Sequence, residues 1–199
     1  MKQLAVALFI PILFLLGCGG DSNRQGDASA SDADTAGSST LTGGARSVAI
    51  YSSVIRQLVT KDHTFGQGDP GFEVVYVLDG PVEGAEDSMK TTSEYVPARP
   101  FGEDVKAALK EELVDLPPIV FVRDRASVIA GERSGPSPGH VINDGVLLTL
   151  GPIIGGERRV EVGSNLWING RAGLWITYVV KHRGAEWNVT GTTATVAIS

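Results

Sequence analysis

The sequence predicts an α+β fold, a mainly antiparallel sheet with a C-terminal four-strand meander and two helices packed on one face. Three observations predict it. Residues 146–198 carry four successive β-type runs separated by short Gly-containing spacers. Two stretches upstream repeat apolar residues at helical spacing. The order helix, strand, helix, strand, then meander puts the helices and most of the strands in separate parts of the chain, as α+β folds do.

Each element has a local reason. Val48, Tyr51, Val54, Ile55, Leu58 and Val59 recur at helical spacing, with Ser47 as the expected N-cap and Lys61 in the last turn. Glu73–Asp79 reads as a strand ended by Gly80-Pro81. The polar stretch from Val82 to Phe101, with Pro97 and Pro100, reads as a long loop. Val105, Ala108, Leu109, Leu113 and Leu116 form the second helical stripe. Glu103 and Asp104 favour its start, and Pro117-Pro118 stops it. Ile119–Val122 follows as a buried strand. Residues 130–145 are rich in turn formers and end in Asn143-Asp144-Gly145.

The meander is expected as Val146–Leu150, Arg159–Ile168, Leu174–His182 and Glu186–Ile198. Gly155-Gly156, Asn169-Gly170 and Arg183-Gly184 separate these runs, and such short turns connect antiparallel hairpins. In the third strand Leu174, Ile176, Tyr178 and Val180 share one face. Thr177, Lys181 and Arg183 share the other.

Ahead of this domain lie two segments of different composition. Lys2 precedes an apolar run from Leu4 to Leu16, about 13 residues, interrupted by Pro11. A bilayer-spanning helix needs roughly 20 apolar residues, so the run reads as a signal-peptide core rather than a permanent span or an uncleaved helix. Residues 19–46 are dominated by Gly, Ser, Ala, Asp and Thr, with Leu41 the only large apolar residue. Such a composition reads as a flexible tether with a root-mean-square reach of roughly 30 Å. The expected division is 1–17 signal peptide, 18–44 Cys18 and a flexible linker, and 45–199 one globular domain.

Leu15-Leu16-Gly17-Cys18 is similar to the lipobox of bacterial lipoproteins. The resemblance implies cleavage before Cys18, a diacylglyceryl group on its sulfur and a chain anchored outside the cytoplasm. Two acyl chains anchor stably where one does not. Cys18 is the only cysteine in the chain, so an intramolecular disulfide is excluded, and a thioether would block a thiol otherwise open to oxidation. An aspartate directly after the cysteine would favour retention in the inner membrane. Gly19 lacks that signal, so an outer membrane is expected where the source has two.

The last segment, TYVVKHRGAEWNVTG, resembles the closing hairpin of small secreted bacterial domains. Some of these are similar to nuclear transport factor 2-like domains, a curved sheet with helices around an apolar cone. That resemblance covers about the last 25 residues and implies a pocket. The chain departs from the family in having no second long helix straight after the first.

Charge and motif content bound the chemistry. Without Lys2 the chain has 16 Lys+Arg against 23 Asp+Glu, a net charge of −7. This argues against a nucleic-acid partner and against electrostatic attachment to anionic lipid. His63, His140 and His182 have no second ligand at metal spacing, so no metal site or cofactor is expected. Gly66-Gln67-Gly68 lacks the strand and helix of a dinucleotide loop. No serine sits in a nucleophile elbow, so no catalytic residue is assigned. Asp62-His63 reads as a loop or cap, and Asp69, Asp79, Asp87 and the Arg123-Asp124-Arg125 run as solvated surface. Asn188-Val189-Thr190 matches a glycosylation pattern inside a strand and is read as chance.

Trp167, Trp175 and Trp187 fall on consecutive strands and are read mainly as core or cross-strand packing. Trp187, between Glu186 and Asn188, is the candidate ligand platform exposed at a strand start. The expectation is a lipid-anchored envelope protein with a non-enzymatic binding, scaffolding or assembly role. The alternative is a small pocket enzyme or ligand-binding domain. A solute-binding lipoprotein ranks below both, because such proteins need two lobes.

Overall fold

A computed structural model describes residues 43–63, 70–131, 139–193 and 196–198. Cys18, Asp69, Gly66-Gln67-Gly68 and the proposed signal peptide lie outside the described residues. In chain order the elements are α1 (Gly43–Thr60), β1 (Val74–Leu78), α2 (Glu103–Glu112), β2 (Ile119–Val122), β3 (Ile129–Ala130) and β4 (His140–Val141). Then come β5 (Gly145–Gly155), β6 (Arg159–Asn169), β7 (Ala172–Arg183), β8 (Glu186–Thr192) and β9 (Ala197–Ile198). Short 3-10 turns at Thr92–Glu94 and Arg125–Val128 flank the second helix and strand.

The strands form one sheet, and the class is the α+β class predicted. From β5 the order β5-β6-β7-β8 is an antiparallel meander. The other side departs from local pairing. β1 pairs in parallel with both β2 and β5. Parallel neighbours need a crossover, and α2 supplies it between β1 and β2.

Both helices lie on one face. Ile50, Val54, Ile55 and Leu58 of α1 and Leu109 of α2 pack on Val75, Val77, Val146, Leu148, Val162, Leu166, Tyr178 and Val180. Tyr178 and Val180 are fully buried on a strand paired on both sides, as the alternation predicts. Burying each such side chain contributes roughly 1.5–3 kcal/mol. The run between the two turn-forming glycines of β5 carries a bulge at Gly151-Pro152, where proline costs no ladder bond. The carbonyl of Gly151 accepts the Tyr51 hydroxyl at 3.1 Å, which ties α1 to that bulge. Burial pushes the Tyr51 hydroxyl up to about 12, against the opposing charge of Arg99.

Several boundaries differ from the sequence reading, each for a physical reason. α1 starts at Gly43, so Gly43–Arg46 belong to the helix and not to the linker. Ser47 is therefore not the N-cap; its hydroxyl donates back to the Gly43 carbonyl at 2.8 Å. Lys61 falls just beyond the helix end. α2 ends at Glu112, short of Pro117, and Leu113 is buried as its C-cap. β2 is a sheet edge, so only Ile119 is buried and Val120 is 38% exposed. Asn143 and Asp144 do form the expected turn, both with φ in the left-handed region, closed by Gly145 N–H to the Ile142 carbonyl at 3.1 Å.

Candidate functional site on the loop-covered face of the sheet

The face turned away from the helices carries a polar row. Thr149 on β5 lies opposite Asn165 on β6, which lies opposite Trp175 on β7. Thr149 and Asn165 are fully buried. Buried polar groups need partners, and here the partner comes from the turn that follows β2. Asp124 caps that turn by accepting the Ala126 N–H at 2.9 Å, and this sends Arg125 inward.

Arg125 is 3% exposed. Its Nη1 donates to Thr149 Oγ1 at 2.5 Å and to Asn165 Oδ1 at 3.0 Å. Its guanidinium carbon sits 4.4 Å from the ring centroid of Tyr95, within cation–π reach. The Tyr95 hydroxyl receives Trp175 Nε1 at 2.9 Å and donates to the Asp87 carbonyl at 2.7 Å. Burial raises the Tyr95 pKa, opposed by the Trp175 hydrogen bond and by the charge of Arg125. Further along β6, a Cβ on Gly163 would come within 1.8 Å of the Glu86 carboxylate, so glycine lets Glu86 lie against the sheet.

Arg125 Nη1, Thr149, Asn165, Tyr95 and Trp175 are linked through these contacts. Taking a guanidinium out of water costs several kcal/mol, and the hydrogen bonds and the Tyr95 face offset that cost. Its chemistry is to fix the 80–101 loop and the turn after β2 onto the sheet.

Two further polar clusters follow the same rule. Asp79, at the C-terminal end of β1, is 6% exposed. It accepts the Phe101 N–H and the Lys106 ammonium, both at 3.2 Å. Lys106 also contacts Glu103 at 2.6 Å, and that hydrogen bond is the main reason its pKa is raised. Asp62 accepts the Tyr178 hydroxyl at 2.8 Å and Gln57 Nε2 at 3.0 Å. Burial, then the Asp62 carboxylate, holds the Tyr178 hydroxyl far above its ordinary pKa.

The residues singled out by sequence fall as follows. Trp187 is 6% exposed, which corrects its expected exposure. Arg46 of α1 lies 5.1 Å from one of its ring centroids, and His182 stacks at 5.1 Å with a 30° tilt. Trp167 is buried and Trp175 half-buried in a second apolar cluster with Tyr76, Leu147, Val128 and Val141. His63 is buried edge-on to Phe72, and His140 lies on β4. Asp87 is exposed, as read, whereas Asp79 and Arg125 are not surface residues. The structure does not bring Trp187 together with the Arg125 cluster, since the two belong to opposite faces. Among the described residues no three His, Cys, Asp or Glu side chains group as a metal site, and no helix is long and apolar enough to cross a membrane.

Surface grooves occur elsewhere. One of about 620 Å³ lies between Val59, Phe72, Leu116 and Pro117, and one of about 390 Å³ runs between α1 and β8. The chain matches no family model, no curated protein and no solved structure.

Proposed function

We propose that this chain is a lipid-anchored bacterial envelope protein with a non-enzymatic binding, scaffolding or assembly role. Cys18 carries the lipid, the Gly/Ser/Asp-rich segment behind it is the tether, and the α+β domain does the binding. Gly19 directs the anchor to an outer membrane in a two-membrane source. The single observation that carries the non-enzymatic reading is the closure of the Arg125 cluster. Arg125 Nη1 is turned to Thr149 and Asn165 and the guanidinium lies over Tyr95, all at most 5% exposed, so the cation is engaged inside the fold. The filled layer between helices and sheet supports the same reading over an apolar cone of the nuclear transport factor 2-like kind, since its central side chains are fully buried.

The anchor is tested by metabolic labelling with a fatty acid. Cys18→Ser is expected to abolish labelling and to block maturation. Labelling that persists in the mutant would remove the lipoprotein assignment. The tether is tested by limited proteolysis, which is expected to cut within 19–42 and to leave a stable core beginning near Gly43.

A further inference from the structure

Two edges of the sheet, β8 and β2, are treated differently. At β8 the outward N–H of Val189 is satisfied by Ser53 Oγ of α1 at 3.1 Å. At β2 the opposite holds. Pro118 and Val122 give their carbonyls to Val75 of β1 and to Asp79 just beyond it, so by strand parity the N–H and C=O of Ile119 and Phe121 point outward. β2 has no second neighbour in the sheet among the described residues. Such a row is a template for another strand.

The side chains along this edge select the strand. On the helix side, the Lys110 ammonium lies 5.9 Å from the Phe121 ring, and exposed Arg123 follows two residues on. On the other side Val120 is 38% exposed. Successive residues of an added strand face alternate sides. One set would meet two cations and the other an apolar surface.

The geometry points to β2 as a strand-addition site for an extended protein segment that alternates acidic and apolar residues. Four paired residues span only about 13 Å. So short an edge, pairing through only two outward residues, suits an extended segment added by main-chain hydrogen bonds, so a flexible segment is the occupant and not a second copy. The inference deepens the binding role proposed above. It needs no lipid on Cys18, so the two fail separately.

The test uses the full ¹⁵N-labelled chain in detergent micelles, with the synthetic peptide acetyl-(Glu-Val)₄-amide as probe. Saturable shifts at the Ile119 and Phe121 amides are expected. A peptide of the same composition in block order, and acetyl-(Lys-Val)₄-amide, are expected to leave them unmoved. Lys110→Glu, an exposed change, is expected to weaken the acidic peptide on the order of fivefold, the size of one surface charge pair reversed. Arg123→Glu is the second variant, should the first perturb the fold. No shift with the acidic peptide, equal shifts with the basic one, or shifts at β8 instead would overturn the proposal. So would β2 amide shifts that depend on protein concentration without peptide, which would make a second copy the occupant.

Discussion

The β8 and β2 edges of one sheet differ in what stands beside them. At β8, α1 runs alongside the strand: Ser53 takes the Val189 N–H, and Arg46 lies over Trp187 while its Nη2 donates to the Gly156 carbonyl at 2.7 Å. At β2 the nearest helix is the crossover α2, which packs over the face through Leu109, and among the described residues no strand pairs with the outer edge. A crossover helix shields a sheet from above, whereas a helix entering from outside the sheet can also shield its side. The β2 edge is held in the fold by Arg125, three residues past β2, which is pinned to β5 and β6.

The comparison breaks first at Arg125. Arg125→Ala leaves Thr149 and Asn165 buried without their donor and removes the guanidinium from Tyr95. The expected loss is about 2–3 kcal/mol in urea unfolding of the full chain, with β2 loosening first. A loss below about 1 kcal/mol would mean that the turn after β2 is not what secures this edge.

Next in size is the strand that supports the closed edge. Val180→Ala should cost on the order of 1–3 kcal/mol, because the side chain is fully buried and its removal leaves a cavity. Lys181→Ala, on the opposite face, should stay within about 0.5 kcal/mol. Equal urea midpoints for the two would contradict the register.

Ser53→Ala sharpens the contrast itself. It removes the acceptor for Val189 N–H and should cost about 1 kcal/mol. It should also speed exchange of that amide selectively. An unchanged Val189 rate would show that α1 covers β8 without insulating it.

The smallest effect at neutral pH lies in the tyrosines. Tyr51 and Tyr178 both have raised folded pKa values, so the unfolded chain loses their protons first as pH rises above 10. Stability is then full below pH 10 and falls as pH climbs toward 12. Tyr178→Phe should flatten that fall in alkaline urea titrations and change little at pH 7 in slope. A fall as steep as in the parent chain would assign it to other groups.

Local patterns in the sequence are legible wherever local physics decides. The alternation Leu174, Ile176, Tyr178, Val180 gives β7 and its buried face, and the Arg183-Gly184 and Asn143-Asp144 signals give real turns. Pairing between distant segments has no such signature. Nothing in Val74–Leu78 or Ile119–Val122 reveals that both lie parallel to a neighbour, or that β2 is an edge. The site was less legible still. Arg125, directly after Arg123-Asp124, reads as solvated, yet the Asp124-capped turn directs it inward. An Asx-type turn after a strand was the available signal. Trp187 reads as exposed because its neighbours Glu186 and Asn188 are, but strand alternation turns it to the core beneath Arg46. Gly43–Arg46 reads as linker by composition, and Arg46 packing on Trp187 overrides that weak propensity.

The contrast between the edges is tested most directly by amide hydrogen exchange on the full chain at neutral pH. The Val189 amide, bonded to Ser53, should be strongly protected, and the Phe121 amide, pointing outward from β2, should exchange nearly as fast as an open strand. Comparable protection at the two positions would contradict the account, because β2 would then already be covered.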